Sequence, residues 1–78
     1  MIEGRQIRAA RALLGWSRED LVKAADVSIS ALLRLENEAA DTRGSTLRKV
    51  IAALAHEGIE FVTREDGAVG VVLKRPQS

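Results

Sequence analysis

The sequence predicts a mainly α-helical domain: four short helices closed by a C-terminal β-hairpin. Three observations carry this. Up to Gly58, apolar residues recur at helical spacing, and Ser, Asp and Gly fall where helices begin and end. From Ile59 the period changes: "IEFVT" and "AVGVVLK" are rich in β-branched residues and flank the turn segment "REDG". With 78 residues the chain has room for one domain. Residues 1–58 form its helical part, and residues 59–75 form a hairpin built onto the same core.

The first helix is expected from about Gly4 to Leu14, with Ile7, Ala10 and Leu14 inward and Gly15 as the left-handed stop. Residues 2–5, "IEGR", match a protease site used to remove purification tags. Only Met1 precedes it, and the apolar phase runs unbroken through Ile2 and Ile7, so the segment reads as native. Trp16 is expected against the core. Ser17 caps helix two, about Arg18 to Ala25, with Asp20 in the capping-box position and Leu21 and Ala25 buried. After the short connection "ADV", with Val27 plugging the gap, Ser28 caps helix three, which should reach Asn37 or Glu38. "NEAADTRGS" is a loop. Ser45 or Thr46 then caps helix four, which repeats Leu47, Val50, Ile51 and Leu54 and ends at Gly58.

Asp66-Gly67 suits a two-residue hairpin turn, in which both positions need positive φ. That register sets Val62 opposite Val71 and Phe61 opposite Val72. Phe61, Val62, Val69, Val71, Val72 and Leu73 then supply apolar residues to both faces of the ribbon. One face can cover the helices, and the other calls for a partner. The hairpin is therefore the expected dimerisation element, through a strand edge or its second apolar face. Pro76 ends the strand. A domain this small buries only about 60% of its unfolded surface, and oligomerisation commonly adds stability at this size.

Composition removes several function classes. There are no cysteines, so disulfides and thiolate chemistry are out. The N-terminus shows no basic-then-apolar signal pattern, and no apolar run nears the roughly 20 residues a membrane span needs; the expected setting is the cytoplasm. His56, the lone histidine, follows the apolar face of helix four beside Glu57 and reads as a surface residue, not a general base. There is no Cys/His cluster and no glycine-rich phosphate loop, so no metal, cofactor or catalysis is expected. Net charge is +1, but residues 1–18 carry Arg5, Arg8, Arg11 and Arg18 against Glu3 alone.

Helix three carries an anomaly. On a helical wheel Ala31, Leu32 and Leu35 face the core, while Ile29, Ser30, Leu33, Arg34 and Asn37 share the opposite side. A second apolar stripe on the outward side needs a reason. Helices two and three, joined by so short a turn, form a helix-turn-helix pattern.

From Gln6 to Leu54 the chain resembles the lambda-repressor-like, XRE-type helix-turn-helix family of bacterial and phage transcription regulators. The resemblance rests on "RALLGWSREDLVKAADVS", "LLRLENE" and "TLRKVIAAL"; Ser17, Glu19, Asp20, Leu21, Val27, Ser28, Arg34 and Glu36 match the family pattern. There are departures. Asp26 replaces the usual turn glycine, and Asp tolerates the left-handed conformation better than most residues. Arg18 opens helix two where relatives often have Gln. The usual fifth helix is replaced by the hairpin, which leaves the family's usual dimer interface without its helix.

The resemblance implies a homodimer on double-stranded DNA, with helix three in the major groove and half-sites about 34 Å apart on a palindromic operator. Ser28, Ile29, Ser30, Leu33 and Arg34 are then the base-contact candidates. Arg34 can donate two hydrogen bonds to guanine, worth about 1–3 kcal/mol of discrimination, and Ile29 and Leu33 can press on thymine methyls. Ser17, Arg18, Asn37, Arg43, Ser45 and Thr46 are the implied phosphate contacts. In relatives the acid at Glu36 pairs with an arginine on helix one, matching Arg11 here, which implies a structural ion pair. The other reading of the apolar stripe stays open: a protein-binding module, such as an antitoxin gripping a toxin or an anti-activator gripping a regulator, through Ile29 and Leu33.

Overall fold

A computed structural model describes residues 2–37 and 44–74. Four helices, α1 (Gly4–Leu14), α2 (Arg18–Ala25), α3 (Ile29–Glu36) and α4 (Ser45–His56), precede strands β1 (Ile59–Thr63) and β2 (Val69–Leu73). The α1 helix packs on β2 and α3, α2 packs on α3 and α4, and α4 adjoins β1. Ile7, Ala10, Leu21, Ala25, Leu32, Leu35, Val50, Leu54 and Ile59 form one core, with Trp16, Val27 and Leu47 packed against it.

Local chemistry explains the helix boundaries. Gly15 closes α1 at φ +69°, a conformation open to glycine at no steric cost. Ser17 and Asp20 make both bonds of a capping box: the Asp20 N–H donates to Ser17 Oγ at 3.1 Å, and the Ser17 N–H donates to Asp20 Oδ2 at 2.9 Å. Helix α4 begins at Ser45 with Gly44 as its cap residue at φ +86°, and no side chain caps it. Neither Ser45 nor Thr46 is therefore the cap.

Gly4, within "IEGR", has a packing role. It is buried, and a Cβ there would stand 2.7 Å from the Leu35 carbonyl oxygen and the Glu36 carbonyl carbon, and closer still to the Glu36 oxygen. The N-terminus of α1 meets the C-terminus of α3 backbone to backbone, which only a residue without a side chain permits. Arg8 Nη1 reinforces this approach by donating to the Glu36 carbonyl.

The hairpin register differs from the expectation by one residue. Phe61 lies opposite Val71 and Val62 opposite Gly70. Of the two residues expected in the turn, only Gly67 has positive φ, at +91°. The turn is accordingly a three-residue loop, in which the Arg64 N–H donates to Ala68 O at 2.8 Å and the Gly67 N–H to Arg64 O at 3.0 Å. A one-residue slip exchanges the faces of one strand. Ile59, Phe61, Val71 and Leu73 therefore all face the helical core, and Val62, Gly70 and Val72 lie on the other side.

Gln6 fastens this ribbon to α1. Its side chain is buried; Nε2 donates to Val62 O at 3.2 Å and Gly70 O at 2.9 Å, while Oε1 accepts from the Glu3 N–H at 2.8 Å.

Candidate nucleic-acid interface

The α2–α3 unit is built around a tight turn. Asp26 adopts the left-handed conformation at φ +58°, and its N–H closes α2 on Val22 O at 2.9 Å. Val27 enters the core side of the turn. The Ser28 hydroxyl oxygen then accepts from the Ala31 N–H at 3.1 Å and starts α3. The Ser28 cap satisfies an N–H of α3 and the Asp26 N–H a carbonyl of α2 that would otherwise lack partners, so both helices have defined ends in spite of being only eight residues long.

This registration sets the faces of α3. Leu32, Leu35 and Glu36 point inward at 0%, 6% and 0% exposure, while Ile29 and Leu33 are open at 43% and 37%. Ser28, Ser30, Arg34 and Asn37 are exposed as well. The structure thus gathers Ser28, Ile29, Ser30, Leu33 and Arg34 on one outward surface beginning at the N-terminus of α3. Arg34 has no hydrogen-bond or ion-pair partner among the described residues. Ser28 has one lone pair of its oxygen engaged in the cap and keeps its O–H as a donor for a ligand.

The remaining candidates divide. Ser17 is exposed at the start of α2, Asn37 ends α3, and Ser45 and Thr46 open α4, where the uncapped N–H groups suit an anion. Arg43 lies outside the described residues. Of the hairpin residues, Phe61, Val71 and Leu73 pack against the core, and Val69 sits opposite Thr63 in the pair next to the turn. Val62 and Val72 turn away, with Val72 45% exposed.

Glu36 is the centre of the polar architecture. Its carboxylate is completely buried; Oε2 accepts from Arg11 Nε at 2.6 Å, and Oε1 accepts from Arg11 Nη2 at 3.2 Å and from Arg18 Nε at 2.9 Å. A buried carboxylate is tolerated when it is paired and hydrogen-bonded, and this one ties α1, α2 and α3 together. Sequence reasoning missed the Arg18 arm, because it depends on how close the start of α2 comes to the end of α3. It also missed Gly4, Gln6 and Arg8. A glycine and a glutamine at the start of an otherwise apolar helix face were the available signal for the first two.

A family model described as helix-turn-helix matches residues 7–57, from the first core residue of α1 to the end of α4. The chain belongs to the XRE/lambda-repressor-like helix-turn-helix family. That is a family of DNA-binding regulators and not typically of enzymes. No curated protein matches the chain. Among the described residues of this family member, no helix is long and apolar enough to cross a membrane, and no group of three His, Asp or Glu side chains is arranged to hold a metal ion.

Proposed function

We propose that this chain is a sequence-specific transcription regulator that binds a palindromic operator as a homodimer, with α3 of each subunit in the major groove. The observation that carries this reading is the outward face of α3, where Ile29 and Leu33 are exposed beside Arg34 on a helix fixed at both ends. Arginine reads guanine and aliphatic side chains read thymine methyls, so the mixed stripe suits a base-pair edge. Ser17, Arg18, Asn37, Ser45 and Thr46 flank it and grip the phosphates, joined by Arg43. The outer hairpin face, Val62 and Val72, is the dimer surface; Phe61, Val71 and Leu73 support it from the core side.

Fluorescence anisotropy on DNA from upstream of the protein's own gene tests this. Wild type should bind tightly and salt-sensitively and beat random DNA; Arg34→Ala should lose that preference, and Leu33→Ala should weaken it. A second reading, a protein partner such as a toxin or a regulator held by Ile29 and Leu33, is favoured by the same two exposed aliphatic side chains. Wild-type binding equal on upstream and random DNA, with Leu33→Ala abolishing capture of such a partner, would replace the first reading with the second.

A further inference from the structure

Arg11 and Arg18 share one buried carboxylate, and they share it unequally. Arg11 gives Glu36 two hydrogen bonds and spends Nη1 on the Trp16 carbonyl at 3.3 Å; its side chain is 15% exposed. All three nitrogens of that guanidinium are engaged, and Glu36 matches its charge. Arg18 gives only Nε, 2.9 Å from Oε1, and its side chain is 45% exposed. Among the described residues, Arg18 Nη1 and Nη2 donate to no protein atom. One carboxylate against two guanidiniums leaves one positive charge over. Arg18 carries it at the first position of α2, beside the helix end that the DNA-binding reading sets against the phosphates.

We propose that Glu36 is a positioning residue for DNA binding as well as a structural partner of Arg11. Through Nε it fixes the plane and direction of the Arg18 guanidinium, so that Nη1 and Nη2 meet a backbone phosphate of the duplex. An arginine free in solvent samples many rotamers, and binding then costs that freedom; a guanidinium already tethered at Nε loses less. The planar fork makes this possible, because one edge can hold Glu36 while the other meets an anion. The inference rests on the DNA-binding reading of this chain.

A phosphate contact is blind to sequence, so a short random duplex suffices as the probe. Binding is followed by anisotropy across a salt series for wild type, Arg18→Gln and Arg18→Lys, with a melting curve for each. Arg18→Gln should weaken binding and reduce the magnitude of the salt slope by about 0.9, the loss of one neutralised phosphate. Arg18→Lys keeps the charge, but its ammonium pairs with Glu36 or reaches the phosphate, not both, and its affinity should stay below wild type. A wild-type slope in Arg18→Gln, with only a lower melting temperature, would make Arg18 a structural partner and overturn the proposal. Wild-type affinity in Arg18→Lys would overturn the positioning role of Glu36. No salt-sensitive binding by the wild type to any duplex would sink the DNA-binding reading itself, and this inference with it.

Discussion

Gln6 and Glu36 are both buried, at 2% and 0% exposure, yet they hold different parts of the molecule by different physics. Gln6 is neutral and answers backbone groups: it joins α1 to the carbonyls of the two strands, and each of its bonds has the modest net worth of an ordinary amide hydrogen bond. Glu36 is charged and answers charges: it joins three helices through two guanidiniums, and its burial is tolerable only while those partners remain. The polar link to the hairpin can thus be cut at small cost, because Ile59, Phe61, Val71 and Leu73 still hold the ribbon to the core. The helix-turn-helix is fastened so that losing one group disturbs all of it. An element that presents side chains to a partner needs that second kind of fixing, because a small displacement of α3 moves every exposed residue on it together.

Four substitutions would break or sharpen this contrast, in falling order of effect. Glu36→Ala leaves Arg11 without two bonds and Arg18 without its one, and should cost about 3 kcal/mol; a urea midpoint equal to wild type would retire the carboxylate as the clasp of the helices. Gly4→Ala drives a methyl into the α3 backbone and should cost about 1–3 kcal/mol through overpacking. Thermal unfolding reports it, and an unchanged melting temperature would mean that α1 and α3 do not approach so closely. Gln6→Ala removes three such bonds and should cost about 1–2 kcal/mol, since the two strand carbonyls keep their ladder partners. Hydrogen exchange should then quicken at the amides of β1 and β2 while those of α2 and α3 stay as they were; uniform quickening would place Gln6 in the same cooperative unit as Glu36. Gly70→Ala should change stability by no more than about 0.5 kcal/mol, since a Cβ there meets nothing within 4 Å. A large loss would contradict an open outer face of the hairpin.

Much of the helical part was legible in the chain because its signals are local. Ser17, Asp20, Gly15, Asp26 and Ser28 act on backbone groups within four residues of themselves, so their positions state where helices start and stop. The two faces of α3 were legible for the same reason: once Ser28 sets the start, the helical repeat places Leu32 and Leu35 inward and Ile29, Leu33 and Arg34 outward. The hairpin misled at a single point. Asp66-Gly67 carries the signature of a two-residue turn, but three-residue loops also end on a glycine with positive φ, and the choice between them rests on which face must be covered. With Phe61 and Val71 directly opposed, four apolar side chains close over the helices together, and that gain exists only once the helices are present.

By itself, then, the sequence determined the elements, their order, the stop of α1, the caps of α2 and the start of α3, and the outward stripe of α3, all of which follow from interactions within a helical turn or one strand. Only the tertiary structure decided the hairpin register, the demand for glycine at position 4, the bridge of Gln6 to the strands and the second arginine on Glu36. Each of these joins residues far apart in the chain: Gln6 and Gly70 are 64 positions apart, and Arg18 and Glu36 are 18. No spacing rule links such pairs. They meet because burying the apolar faces of α1, α2 and α3 against one another brings their ends together, and the polar groups left inside must then find partners where the packing has put them.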